Sequence, residues 1–513
     1  MTQHPTLEPR MWQLYRHELM PVAELAHEMS TAGWPIDGRR VEKIRLDLQE
    51  QIAELESQLP EALAPRREQV WRQRPAPAGT YRPKTLSCKG AVKDGTRHAK
   101  VPITFTAPGD KPCPVCGTLK ASGKMEPAKI VKVQDYEMVR PWRSPAVLLE
   151  YAAAKKLPLR LHKKTKQPTA DKQARQIWAQ RAPEMVTVSR LYGAQKLITS
   201  YAKPEWRHEP RLYFRFNPIG TAETRWSCSG QRRGIDCQVQ NVPKIGRKVF
   251  LPAEPGFAML QLDWQSGENN LTALLAGDMQ RLERLRTPGY SEHADTASKI
   301  FETEVSKGDP VTYDLYQIGK KVNHGVNYGM GPKLLLGELT HALNEIGSTL
   351  SLTQADCKRF LDIWREMNPQ TARWQELVVA EAYQNGGALT NVFGRTRWFP
   401  ADKFKTAALA FLPASTLAGM MNRCLLALHQ QRYAEHLDVL RVQVRRNLPE
   451  RWRLMAQIHD SIIASGPPES LREAATAIRD VMTQPWPELN GFALQVDVEY
   501  SMDSWGAMQE LEL

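Results

Sequence analysis

The sequence predicts an α+β fold, with a small antiparallel sheet set among many helices. Three β-like stretches carry this reading. FAMLQLD, residues 257–263, is an apolar run that delivers Asp263 to a strand end. LMAQIHDSII, residues 454–463, places Asp460 between two short β-like runs, so a tight hairpin would hold the acid at its turn. FALQVDVEY, residues 492–500, supplies a last strand. Elsewhere apolar residues recur mainly at three- and four-residue steps, the helical period.

A chain of 513 residues exceeds the size at which one hydrophobic core stops growing, so about two to four structural units are expected. The 42 % hydrophobic and 24 % charged content argues against wholesale disorder. Against 56 acidic side chains stand 69 Lys and Arg, giving a net charge of +13, an excess that suits a polyanion such as nucleic acid. No apolar run approaches the ~20 residues that span a bilayer, and the first residues lack the apolar core of a signal peptide. The expectation is a cytoplasmic protein with no membrane partner. Seven cysteines, an odd number, fit a reducing compartment better than a disulfide framework.

Taken in order, residues 12–60 read as two helices broken at GWPIDG, residues 33–38. In the second, Val41, Ile44, Leu48, Ile52, Leu55 and Leu59 form one apolar stripe, and Pro60 ends it. Residues 61–140 are Pro-rich, basic and without helical period, which marks an inserted module. It contains Cys88, His98 and the knuckle Cys113-Pro-Val-Cys116-Gly, a turn that presents two thiolates to a tetrahedral zinc ion. With a second CxxC missing, Cys88 and His98 would supply the other ligands, and reduced thiols without metal are the alternative. Residues 144–203 return to helical patterning. A loop-rich stretch follows in which Arg225, Arg232, Arg233, Gln240 and Asn241 are placed to line a duplex.

From Lys248 to Asp263 the chain reads as strand, then as helices to about residue 385. Within them lies YQIGKKVNHGVNYGMG, where Tyr316, Lys320, His324 and Tyr328 fall at four-residue steps on one helix face, ended by Gly329 and Gly331. That row offers a cation for a phosphate and rings for a base. NVFGRTRWFP, residues 391–400, is a basic turn between short strands. ALAFLPASTLAGMMNRCLLALHQQ is a mostly apolar helix under the sheet, and an amphipathic helix follows the Asp460 hairpin.

Two acids on rigid strands form a clamp for hard cations, because carboxylate oxygens suit Mg²⁺ and leave coordination sites for substrate. Asp263 and Asp460 are the candidates.

In order, these blocks resemble the polymerase region of family A DNA polymerases, from about residue 12 to the C-terminus without residues 61–140. TAETRWSCS with QNVPK resembles the family's TxxTGRxSS and QNIP block, implying Arg225 and Asn241 as primer-template contacts. LDWQSGEN resembles motif A, with Asp263 as metal ligand and Glu268 as the acid that blocks a ribose 2′-hydroxyl. SEHADTASKIF resembles the DIHxxTA segment, implying His293 as a triphosphate contact. KKVNHGVNYGMG resembles motif B, with Lys320 as the phosphate lysine and Tyr328 at the nascent base pair. QIHDS resembles motif C, with His459 beside the second metal aspartate, Asp460.

The departures are specific. Tyr316 stands where motif B begins with Arg, His324 where the family has Phe or Tyr, and Ser461 where an acid follows the motif C aspartate. LPASTLAG lacks the Gln of the PxQGT helix.

The resemblance implies a right-hand arrangement with an antiparallel palm sheet and helical fingers and thumb. Residues 1–60 and 141–210 would form the thumb, 211–269 and 401–513 the palm, and 270–400 the fingers, with 61–140 as the Cys/His insertion. It implies a DNA polymerase that extends a DNA primer with dNTPs using two Mg²⁺ ions. The expected partners are primer-template DNA, dNTPs and replication accessory proteins. The chain is expected to be a monomer in a bacterial or phage-infected cell, without a 3′→5′ exonuclease segment of its own. A non-catalytic nucleic-acid binder and a two-metal nuclease are the other classes, but neither needs Glu268 or the Lys/Tyr helix. Single-subunit RNA polymerases share the architecture and lack an acid at the gate.

Overall fold

The computed structural model describes residues 9–75, 84–105, 110–121, 130–162, 164–179, 181–230, 237–346, 348, 350–401 and 404–513. The chain divides into two compact units, Met1–Pro60 with Leu148–Leu513, and Glu61–Val147.

The larger unit is built on a five-stranded antiparallel sheet. Its order is Arg453–Ile458, Ser461–Gly466, Ala258–Trp264, Val496–Ser501 and Gln509–Glu510. The central strand alternates little because both faces are covered: Leu260 and Leu262 are fully buried, as are Ile462, Ile463 and Ala464 beside them. The amphipathic Leu471–Met482 helix turns Ala474, Ile478 and Val481 inward and packs on the sheet. The expected strand from Lys248 is shorter than its apolar run. Only Ala258–Trp264 is extended in the sheet, because Pro252 and the Pro255-Gly256 turn, with Gly256 at φ +83°, interrupt pairing.

The Phe404–Ala427 helix lies in the core, with Pro413 inside it and nearly every side chain from Ala408 onward buried. It corrects the expectation that no apolar run reaches membrane-spanning length. By length and composition this helix does, and 94 % of its most apolar window is covered by protein. Trp34, Phe214, Phe250 and Trp505 pack in edge-on and stacked pairs 5.0–6.5 Å apart, and the Trp34 indole donates to the Leu251 carbonyl. The early Gly38–Ser57 helix, capped by the Asp37 carboxylate, buries its predicted stripe from Val41 to Leu55.

The smaller unit is a set of antiparallel pairs. Arg66–Pro75 pairs with Ile130–Val139 over ten residues, Lys84–Cys88 with Val101–Phe105, and Asp110–Pro112 with Leu119–Ala121.

Candidate active site

Each acid of the predicted pair is held by rigid backbone. Asp263 is the penultimate residue of its strand and stands between Ser461 on one neighbour and Asp497 on the other. Asp460 is the second residue of a two-residue turn, since Ile458 and Ser461 are paired across it. The turn closes because His459 takes φ +54°, a left-handed conformation that costs a non-glycine residue of order 1 kcal/mol. The Trp264 N–H donates to the Asp460 carbonyl at 3.3 Å, which ties the hairpin to the end of the central strand.

Both carboxyls are buried, and the Asp460 charge acts on Asp263. Burial, then the Asp460 charge, pushes the Asp263 pKa up to about 7, and hydrogen bonding from Ser461 partly offsets the rise. Burial likewise pushes Asp460 up to about 6, with Arg225 opposing the shift and Glu268 adding to it. Such a pair is disfavoured as two bare anions and is relieved by a cation.

After Trp264 the chain turns sharply through Ser266, at φ +48°, into the Gly267–Leu275 helix, whose first turn carries Glu268. Glu268 Oε2 accepts from an Arg225 guanidinium nitrogen at 2.5 Å. Burial and the Glu268 charge raise the Tyr328 phenol, which sits at the C-cap of the Tyr313–Asn327 helix. Arg225, Glu268, Tyr328 and Asp460 therefore form one electrostatic cluster. Arg225, expected on primer-template DNA, is here the ion-pair partner of Glu268.

The row on the Tyr313–Asn327 helix is split. Lys320 and His324 are exposed. Tyr316 is only 7 % exposed, packed with Ala297 and Val305, which corrects its reading as a member of an open polar face. The cause is Gly319, where an added Cβ would lie 2.2 Å from the His293 carbonyl oxygen. The Glu292–Phe301 helix thus lies close against this face and covers Tyr316.

His293 is brought to the same place, 5.6 Å from the His324 ring and 6.0 Å from Tyr316. Burial lowers its pKa to about 4, so at neutral pH it is an uncharged hydrogen-bonding group. Lys320 has its pKa lowered by desolvation and then by Lys307, Lys321 and Lys244, a concentration of positive charge that suits an anion.

A cavity of about 370 Å³ runs beside the hairpin, lined by Arg225, Gln240, Asn241, Met421, His459 and Asp460 among others. Asn241 is exposed and its amide donates to Gln238. Gln240, which the sequence placed on a duplex, is buried and donates to the Gln457 carbonyl. Arg232 and Arg233 lie outside the described residues.

Two supporting networks were not foreseen. Asn323 touches Thr296 and His293, and accepts from the Trp364 indole at 2.8 Å. Nearby Glu292 accepts from Arg281 at 2.6 Å and from Asn269 at 2.8 Å, and Asn269 accepts from Asn327. The second is Glu18, fully buried, which accepts from Arg395 at 2.7 Å and Asn422 at 2.9 Å, with Arg423 at 3.4 Å. Arg423 and Asn422 in an otherwise apolar helix were the sequence signal for it.

In the smaller unit, Cys88, His98, Cys113 and Cys116 converge, with one ligand atom from each lying within 4.8 Å of the others.

An antiparallel sheet with two acids at adjoining strand and turn, flanked by a helix bearing Lys, His and Tyr, defines the α+β polymerase fold. Residues 130–507 match the model of DNA polymerase family A, and the chain belongs to that family. It is 27 % identical to the thermostable DNA polymerase I of Thermus thermophilus over 309 residues, 58 % of this chain and 33 % of that protein. It is 26 % identical to a DNA polymerase of Mycobacterium phage D29 over 304 residues, 58 % of this chain and 42 % of that one. The matches thus span less than half the length of these relatives. A solved structure of the POL domain of Pol1 from M. smegmatis, in complex with DNA primer-template and dNTP, shares the fold at a TM-score of 0.61 and 18 % identity, covering 96 % of this chain and 72 % of that one.

Proposed function

We propose that this chain is a template-directed DNA polymerase that extends a DNA primer with dNTPs. The observation that carries the reading is the convergence of Asp263, Asp460, Glu268, Arg225 and Tyr328 in one cluster. The sheet and its hairpin act as the palm, residues 270–400 as the fingers, and residues 1–60 with 141–210 as the thumb. Asp263 and Asp460 fit Mg²⁺: they are hard oxygen donors whose raised pKa values record burial first and, at Asp263, the neighbouring Asp460 charge. Two Mg²⁺ ions bound there would activate the primer 3′-oxygen and stabilise charge on the departing pyrophosphate.

The protein's own groups do the rest. Lys320 offers an exposed ammonium to a triphosphate, and neutral His293 donates a hydrogen bond beside it. Glu268 and Tyr328 close the space under an incoming sugar. Arg225 holds Glu268 in place and shares its charge with Asp460. Asn241 and His459, on the cavity beside the hairpin, face the primer-template. Extension of a primed template by the intact chain with Mg²⁺ tests the reading, and no extension under any template or divalent-ion condition rejects it.

Glu268 sets the sugar choice in this scheme. Glu268→Ala should raise kcat/KM for ribonucleotides relative to deoxyribonucleotides by roughly 10–200-fold. Glu268→Gln, of the same size, should keep most of the discrimination. Steady-state incorporation of matched dNTP and rNTP pairs measures both, and equal discrimination in all three proteins would remove Glu268 from the gate.

A further inference from the structure

The smaller unit has a chemistry that the nucleotidyl-transfer site does not use. A zinc ion bound at about 2.3 Å to sulfur and about 2.0–2.1 Å to nitrogen, with tetrahedral angles, sets neighbouring sulfurs roughly 3.8 Å apart and a sulfur and nitrogen roughly 3.6 Å apart. Cys88 Sγ and Cys116 Sγ are 3.7 Å apart, and Cys113 Sγ is 3.6 Å from His98 Nε2. These are the edges of a zinc tetrahedron, and all four cysteine and histidine atoms lie within 4.8 Å of one another.

The backbone is shaped to bring them there. Cys113 and Cys116 sit on a turn closed by the Gly117 N–H on the Cys113 carbonyl at 2.9 Å, with Gly117 at φ +71°. Cys88 ends the Lys84–Cys88 strand. The chain then loops back so that the His98 N–H donates to the Gly90 carbonyl at 3.2 Å. Gly90 is needed for the approach, since a Cβ there would lie 2.5 Å from Cys116 Sγ. His98 Nδ1 is 2.6 Å from the Ala99 carbonyl, so Nδ1 carries the proton and Nε2 is left as ligand. The core around them is Cys88, Ile103 and Cys113, with Leu86, Val101 and Cys116 packed against it. Two of the three buried residues are thiols, and so small an apolar cluster does not stabilise a fold without a staple.

Charge is concentrated in the same unit. Residues 61–147 hold 17 of the 69 Lys and Arg but only 7 of the 56 Asp and Glu, and so contribute +10 of the net +13. Lys89, Lys93, Arg97 and Lys100 are exposed, and among the described residues none has an ion-pair partner.

We infer that Cys88, His98, Cys113 and Cys116 hold one structural zinc ion, which fixes a loop whose Lys89, Lys93, Arg97 and Lys100 contact DNA phosphates. Four protein ligands leave no open position, so the ion is structural and not catalytic. The choice of DNA as the polyanion rests on the polymerase reading; the metal site does not.

Elemental analysis of the full chain, purified without added metal or chelator, should give one zinc per chain. Cys113→Ser with Cys116→Ser should lose it, and Cys357→Ser, at a buried thiol elsewhere, should keep it. A substoichiometric trace in the unmodified protein, or zinc retained by the double variant, overturns the metal site. Both readouts are independent of primer extension, so they fail or succeed apart from the polymerase reading. A variant with Lys89, Lys93, Arg97 and Lys100 all changed to Gln should keep its zinc. Its primer-template affinity should show a log Kd against log salt slope smaller by roughly 2–4, at about 0.9 per lost phosphate contact. An unchanged slope in the zinc-replete variant overturns the DNA contact.

Discussion

Asp460→Ala is expected to slow single-turnover primer extension on the order of 10³-fold or more, and Asp263→Ala to do the same, because each removes one side of the metal clamp. The double variant should be little worse than either single one, since the two acids act as a unit. Rates within tenfold of the parent would reject the clamp.

The same pair predicts a stability effect of opposite sign. Asp263 and Asp460 titrate near 7 and 6 in the folded protein, whereas an unfolded aspartate titrates near 3.9. Between about pH 4 and 7 the folded state therefore binds more protons than the unfolded chain, so its stability falls as pH rises and the penalty is complete above pH 7. Asp263→Asn removes much of that penalty, roughly 2–4 kcal/mol. In metal-free buffer its Tm should exceed the parent's by a few degrees at pH 8 and by much less near pH 4.5, with Mg²⁺ narrowing the gap at pH 8. The same Tm difference at both pH values would refute the assignment.

Glu18→Ala should be the most damaging substitution outside the catalytic cluster, at about 3–5 kcal/mol. Glu18 is fully buried between two buried guanidiniums, Arg395 and Arg423, and Arg423 also lies 3.6 Å over the Phe393 ring. Removing the carboxylate leaves both cations buried without it. Urea unfolding of parent and variant measures the cost, and a loss under 1 kcal/mol would mean that the Asn422 and Phe393 contacts suffice.

The acids of the site were legible because local sequence dictates their setting. An apolar run must end somewhere, and Asp263 marks the end. A two-residue interruption between β-like runs makes a hairpin, and Asp460 is in it. The helix through Lys320 and its glycine stop follow from period and backbone freedom alone. What could not be read depends on partners far away in sequence. Glu18 meets Arg395 across 377 positions, and no periodicity encodes such a pairing. Arg225 was legible as a cation but not as the partner of Glu268, 43 residues on. Tyr316 was misplaced because its burial depends on how closely a second helix approaches Gly319, which is a matter of packing and not of spacing.

The ten-residue pairing of Arg66–Pro75 with Ile130–Val139 has a consequence for how such a protein can change. Arg66 and Val139 face each other directly, so the two ends of the ribbon lie one strand spacing apart, about 4.8 Å, whatever is built between Pro75 and Ile130. The segment between Pro75 and Ile130, which carries the Cys and His ligands, therefore enters and leaves through paired residues. A segment whose ends are paired side by side can be exchanged, shortened or lost without moving the residues at which the ribbon begins. The polymerase sheet and the basic module can therefore diverge at different rates within one chain.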